Sequence, residues 1–360
     1  MGDENVAIVL DNGSGMFKAG FSGEDIPRVI FPTVTGYSYN DYVTQSKDIY
    51  FGYEALGKDN VSLHHPIQLG IITDWEHMES IWQHTFHNEL NVATEDRPIL
   101  LTESPLNPRT NRDKIMEIMF ETFNIPSLYI AKQPVLSLYA SGRTTGIVYD
   151  SGYNASHTVP IFEGNTLTHA INTADISGRD VTEHLIQLLT KRGILLGGHN
   201  TCDIKEKACY VALDYKLELK GVTNTNYELP DGEIVTLGNE IFTSPEILFN
   251  PSLHDCVTLG AHELINNSIQ QCEKGIQKCM YSNIILSSGN TLFPGMAKRM
   301  LKELNGISPP RVRVKLIAPP ERKYSVWIGG SILASMSSFQ QMWLSNEEYH
   351  EGEYRKRRYF

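Results

Sequence analysis

Two stretches of this chain follow one pattern, and that repetition constrains the fold more than any other feature of the sequence. Val6 to Phe21 reads VAIVLDNGSGMFKAGF, and Thr145 to Phe162 reads TGIVYDSGYNASHTVPIF. In the first, Val6–Leu10 is a short apolar run, long enough for one buried strand. It ends at Asp11. Asn12, Gly13, Ser14 and Gly15 then form a turn in which glycine permits positive φ, and a second strand, Phe17 to Phe21, follows. The later stretch repeats the order: an apolar strand, Asp150, then Ser151 and Gly152, then another strand. Two strand–Asp–Gly–strand hairpins in one chain point to an internally duplicated fold. Such a tip turns several backbone N–H groups toward one spot, with a hydroxyl and Lys18 beside it, which is the make-up of a phosphate cradle. Asp11 and Asp150 are hard oxygen donors suited to the water shell of magnesium. An ordinary hairpin turn satisfies the same letters in either copy alone. Two tips gripping one polyphosphate would account for both copies. The Walker phosphate loop, a glycine-rich run closed by Gly-Lys-Ser or Gly-Lys-Thr, does not occur.

Composition narrows the ligand. A chain of 360 residues buries a large core and is expected to form two domains or more. With 20% charged and 41% hydrophobic residues it is an ordinary soluble protein. A net charge of −11 argues against direct nucleic-acid binding. It also repels phosphate unless a cation or local donors intervene, which suits a metal–nucleotide ligand. The five cysteines are not spaced as metal ligands, so reduced thiols in a cytosolic or nuclear setting are expected. No signal-peptide pattern and no apolar run near the ~18 residues of a membrane span occurs, so no membrane partner is expected.

Longer motifs carry a family resemblance. LSLYASGRTTGIV (Leu136 to Val148), IAPPERKYSVWIGGSILAS (Ile317 to Ser335), LLTESPLNPRTNR (Leu100 to Arg112), DIKEKACYVALDY (Asp203 to Tyr215) and FQQMW (Phe339 to Trp343) resemble actin almost letter for letter. From these segments, which run through essentially the whole chain, it is identified as a member of the actin family. The resemblance implies an α/β chain with the actin-like ATPase fold. Two related domains (four subdomains), each with a mixed five-stranded sheet, would enclose a nucleotide cleft. It also implies boundaries. Residues 1–134 and 333–360 would form the first large domain, with a subdomain 2 insertion at about 33–65. Residues 135–332 would form the second, with a subdomain 4 insertion at about 176–256.

Along the chain, Trp75, Met78, Ile81, Trp82 and Phe86 share a helical face, which predicts a helix over 75–90. Ile115, Met119 and Phe123 predict another over 111–123. Gln133-Pro134 opens a helix to Ser141, proline costing little in a first turn. Arg97–Thr102 and Leu128–Ala131 read as strands. In the second half, helices are expected at 181–189, 205–219, 261–278 and 294–304, a loop at 193–201, a hairpin around Pro230-Asp231-Gly232, and strands at 283–286 and 312–317. The basic run Arg355-Lys356-Arg357-Arg358 reads as a solvated tail or as a docking or import signal.

The resemblance assigns roles residue by residue. Backbone N–H groups around Gly13, Ser14, Gly15 and Met16, and around Gly152 and Tyr153, would bind phosphate, with Lys18 adding a point charge. Asp11 and Asp150 would hold Mg2+ (or Ca2+) through water. Gln133 would orient the attacking water by hydrogen bonding, and His157 would relay its proton near neutral pH. Gly178, Lys205, Glu206, Gly289 and Lys323 would complete the site for ATP or ADP. Tyr139, Gly142, Leu333 and Met342 would form a groove for actin-binding proteins.

Departures from actin matter as much. Tyr153-Asn154 replaces Asp-Gly in the second loop, Ser288 replaces the first glycine of the adenosine loop, Cys202 replaces an arginine, and Leu69 replaces a histidine. The loop Tyr37–Lys47 is short and polar, either a trimmed surface loop or a lost filament contact. The plug Leu253-His254-Asp255-Cys256 is half polar. Water-orienting and metal-holding groups remain while sugar and base contacts loosen. Nucleotide binding with slow or reduced hydrolysis is therefore expected, in a cytoplasmic, cytoskeletal, nuclear or ciliary setting. Three classes compete: a cytoskeletal actin that forms filaments, divergent or conventional; an actin-related subunit of a larger complex, such as a chromatin-remodelling or axonemal dynein assembly; and a metabolic kinase on the same scaffold.

Overall fold

The computed structural model describes residues 6–38, 49–221 and 224–352. Most of the Tyr37–Lys47 loop and the whole Arg355–Arg358 run lie outside the described residues. The chain divides into two compact units, Met1–Gly142 with Tyr324–Phe360, and Arg143–Lys323.

The first unit is built on the first hairpin. Strand β1 (Ile8–Asn12) pairs antiparallel with β2 (Met16–Phe21), which pairs with β3 (Val29–Pro32). A small sheet follows, of β4 (Thr35–Ser38), β5 (Ile49–Phe51) and β6 (Val61–His64), with helix α1 (Gly52–Gly57) packed on it. Next come a two-strand ribbon, β7 (Ile67–Gln68) with β8 (Ile71–Ile72), and helix α2 (Trp75–His84). Strand β9 (Ile99–Glu103) lies parallel to β1, and β10 (Ser127–Lys132) lies parallel to β9, with helix α3 (Arg109–Glu117) between them in sequence and helix α4 (Gln133–Ala140) following. The late strand Leu344–Ser345 adds to the β10 edge. Strand β1 is apolar without alternation because both its faces are covered. Ile8 and Leu10 pack with Met78, Trp82 and Met119, while Val9 packs with Leu136 and Trp327. On that second face helix Ser325–Ser335 crosses α4 at Gly329, where a Cβ would lie 1.9 Å from the Leu136 carbonyl oxygen.

The second unit repeats the plan. Strands β11 (Gly146–Ser151) and β12 (Ser156–Phe162) form the hairpin, edged by β13 (Asn165–Thr166) and β14 (Asn172–Ala174). Helix α5 (Gly178–Lys191) begins at a Ser177/Asp180 capping box, which extends it beyond the expected 181–189. Helices α6 (Gly198–Lys207), α7 (Tyr215–Glu218) and α8 (Glu240–Glu246) surround the hairpin of β15 (Thr225–Glu228) and β16 (Ile234–Leu237). After α9 (Ala261–Gln271) and α10 (Lys274–Tyr281), β17 (Ile284–Ser287) lies parallel to β11. Helix α11 (Met296–Ile307) then leads to β18 (Leu316–Ile317), parallel to β17. Ile147, Tyr149 and Leu286 share a core with Val181 and Leu185 of α5.

Several expectations are corrected. Among the described residues each main sheet has six strands, not five, because short edge strands join it. The helix expected at 205–219 is two pieces. Cys209, Val211 and Ala212 are buried with Tyr210 half-buried, and two of the amides bond to distant carbonyls, Tyr210 N–H to Ile241 O and Val211 N–H to Pro294 O, so tertiary pairing wins over local propensity. The loop expected at 193–201 gives way to α6 at Gly198. The helix expected at 261–278 breaks at extended Cys272, whose carbonyl accepts from Gln277 Nε2. The helices expected to run to 90 and 123 pass into wide π turns, at Thr85–Glu89 and Ile118–Thr122. The strand expected at 312–317 pairs only at Leu316–Ile317. Among the described residues no helix is long and apolar enough to cross a membrane.

Candidate functional site

In both units the singled-out aspartates lie where parallel strands end: Asp11 in one, with Thr102 and Gln133 at the neighbouring ends, and Asp150 in the other, with Ser287–Ser288 at the neighbouring end. Carboxyl ends of parallel strands are where α/β sheets present ligand-binding loops.

At the first tip, Asp11 faces Lys18 across the ladder, and the Lys18 Nζ donates to Asp11 Oδ2 at 2.8 Å. The other carboxylate oxygen accepts from Thr102 Oγ1 at 2.9 Å and from Gln133 Nε2 at 3.3 Å. Gln133 Nε2 also reaches Asn12 O and Thr102 Oγ1. Asn12 is itself fixed, its N–H on Thr102 Oγ1 and its Oδ1 on Trp82 Nε1–H. The turn is held by Thr33, which donates through Oγ1 to Gly13 O and through its amide to Gly15 O. Gly13 has no substitute here, since a Cβ would meet the Met16 carbonyl oxygen at 2.4 Å. Lys18 is therefore a cation already matched by Asp11, and Asp11 is 2% exposed with both oxygens engaged.

The second tip repeats the register with different chemistry. Asp150 faces His157 across the ladder. Its Oδ1 accepts from Ser288 Oγ at 2.6 Å, the one side-chain partner Asp150 has among the described residues. Burial pushes His157 below the ordinary imidazole range against the opposing pull of Asp150, and its Nδ1 is buried without a hydrogen-bond partner. The ring is thus neutral at neutral pH, able to accept a proton but not holding one in reserve. Ser151 and Ser156 hydroxyls lie 2.7 Å apart, Asn290 Nδ2 donates to Ser151 Oγ, and the Gly152 amide closes the turn on Ala155 O. The start of α5 grips the tip: Gly178 N–H donates to Gly152 O, and Arg179 N–H and Ser177 Oγ donate to Tyr153 O. A Cβ at Gly178 would come within 3.1 Å of Gly152 O, so glycine permits the approach. Tyr153 is 37% exposed, while Asn154 Oδ1 and Asn290 Oδ1 are buried without partners.

Lys205 is 8% exposed and sends Nζ to Gly178 O at 3.2 Å and Thr182 Oγ1 at 2.9 Å, with no carboxylate partner among the described residues. Glu206, Gly289 and Lys323 are exposed. The neighbours of Gly289 and Lys323 touch through the Ser288 N–H to Arg322 O bond. In the first unit Tyr139, Leu333 and Met342 rim one apolar cluster, with Ile332 and Met336 exposed beside them.

Sequence reasoning missed Thr102, Asn12, Ser156 and Asn290. The usable signal for Thr102 was its place at the carboxyl end of a strand expected over Arg97–Thr102. The donor set fits a hydrated divalent cation and an anion. Each unit offers a hard carboxylate oxygen at a glycine-shaped tip, and the second adds buried amide oxygens and a buried lysine with no counter-ion among the described residues.

These features define a class: a duplicated α/β protein with an aspartate-ended hairpin turn at the heart of each half. The chain belongs to the actin family, whose family model, described as Actin, matches residues 2–202 and 199–356. The fold is accordingly the actin-like ATPase fold. Proteins of this family generally bind ATP or ADP with a divalent cation.

Proposed function

We propose that this protein is an ATP-binding, slowly hydrolysing actin-family member that acts through protein–protein assembly and polymerises poorly alone. The observation that carries the nucleotide reading is the shared register of the two hairpins, Asp11 opposite Lys18 and Asp150 opposite His157. Bound Mg-ATP would supply the cation and the phosphoanhydride to be hydrolysed. Asp11 and Asp150 hold cation-bound water, and the tip amides and Lys18 take phosphate oxygens. Gln133 orients a water through its amide, and neutral His157 accepts a proton at Nδ1. Lys205, Glu206, Gly289 and Lys323 face adenosine. Slow turnover follows from Gln133 being tied to Asp11, Asn12 and Thr102, bonds it must exchange to serve a water. The apolar rim at Tyr139, Leu333 and Met342, next to Gly142, supports docking of amphipathic helices from partner proteins. A cytoplasmic, cytoskeletal setting suits this reading, with nucleus or cilium as the alternatives.

The test is thermal unfolding with and without Mg-ATP, for the native chain and Asp150→Ala. Mg-ATP is expected to raise the melting temperature of the native chain and to leave the variant almost unmoved. Equal stabilisation of both would overturn the assignment.

A further inference from the structure

Away from both hairpins, three side chains of the first unit converge. His64 ends β6, Asp74 is the N-cap of α2, and His77 is the third residue of the same helix. Their ligand atoms all lie within 4.8 Å of one another. Asp74 divides its oxygens. Oδ1 accepts from the His77 backbone N–H at 3.3 Å and caps the helix, while Oδ2 lies 3.6 Å from His77 Nε2. That distance is too long for a hydrogen bond. The other nitrogen of the ring, Nδ1, is 2.5 Å from Thr35 Oγ1. In the tautomer that donates Nδ1–H to Thr35, Nε2 presents a lone pair toward the Asp74 carboxylate oxygen, and a cation between the two would satisfy both. The His64 ring stacks on His77, centroids 4.2 Å apart and planes at 13°, which brings a second imidazole to the same place.

We propose that His64, Asp74 and His77 form a binding site for a zinc-class divalent transition ion. Two imidazoles and one carboxylate are the donor set of an open four-coordinate site, with water in the last position. Magnesium and calcium, which take oxygen, are poorly matched. Thr35 supplies the outer hydrogen bond that orients a ligating histidine. A recess of about 520 Å3, lined in part by His64, Gln68, Thr73 and Asp74, gives the ion an entry path and room for its water. Ligand atoms around zinc sit about 3.4 Å apart at bond lengths near 2.1 Å. The half-buried His64 and Asp74 side chains close that gap by rotation. The bound ion would pin the end of β6 to the first turn of α2. The proposal is independent of the nucleotide reading.

The experiment is calorimetric titration of the full-length chain with zinc chloride in excess magnesium, paired with visible absorption of the cobalt(II) form. The native chain is expected to take up a zinc ion at this site with micromolar or tighter affinity. Its cobalt spectrum should show nitrogen and oxygen ligation without thiolate charge transfer. His64→Gln and Asp74→Asn should each weaken binding at least ~10-fold. Asp74→Asn retains the capping oxygen, so its zinc-free unfolding should match the native chain. Unchanged zinc affinity in both variants, a thiolate-dominated cobalt spectrum, or no saturable binding would each overturn the proposal.

Discussion

Ser288 concentrates what the residue scale adds. It has φ +70° and ψ 167°, a backbone shape that belongs to glycine. The sequence already marks the position, because the related actin segment has glycine there, and a loosened base contact was the expected result. The structure turns the hydroxyl onto Asp150. A strained residue of this kind costs about 1–3 kcal/mol, and a hydrogen bond to a charged group returns about 1.5–3 kcal/mol. Two substitutions therefore separate. Ser288→Ala keeps the strain and loses the bond, and should destabilise by about 2 kcal/mol. Ser288→Gly loses both and should cost less than about 1 kcal/mol. Urea unfolding of the pair checks this, and equal losses would count against it. Asp11, Lys18, Asp150 and the tip glycines were legible because each sits in a repeated pattern. Thr102 and Asn290 were not. A lone threonine or asparagine at an element's end carries no period, and its partner is ninety or more residues away.

At the scale of elements, apolar runs and helical stripes located most strands and helices. Failures came where tertiary hydrogen bonds replaced local ones, as at Cys209–Ala212. The crossing of α4 with helix Ser325–Ser335 was visible only as the letters Gly329-Gly330; the reason for Gly329 is the Leu136 carbonyl, and for Gly330 the Val9 side chain. Gly329→Ala would push backbone against backbone, and overpacking of this kind should cost about 3 kcal/mol or more. Gly306, late in α11 with open space around its Cβ position, makes the control. Gly306→Ala should be neutral or stabilise by up to about 1 kcal/mol. Chemical denaturation of both variants measures the difference, and similar effects would discredit the close-contact argument.

For the molecule as a whole, the duplication and family membership were legible from a few long motifs, while the edge strands that widen each sheet were too short to announce themselves. Assembly belongs to this scale. In the plug segment Asp255 is exposed at φ +53°, and the His254 ring turns its edge to His184, 5.2 Å away. The polar residues there are part of the local structure. A filament contact that loses two or three apolar side chains forfeits roughly 1.5–3 kcal/mol for each, about a thousand-fold in association overall. The pure protein at micromolar concentration with Mg-ATP and salt should therefore stay in the supernatant after high-speed sedimentation. Long filaments in the pellet would refute this and favour a conventional actin. The register of the two hairpins has a further consequence. Lys18 forms an ion pair with its aspartate at 2.8 Å, whereas His157, which burial pushes toward its neutral form, gives Asp150 no such counter-charge. Sister halves of one ancestral unit thus differ by a single elementary charge at equivalent places. On the proposed reading this is a division of labour. The first copy brings its own cation to an anion, and the second depends on the divalent ion for the matching charge, so the two halves contribute unequally to one metal–phosphate ligand.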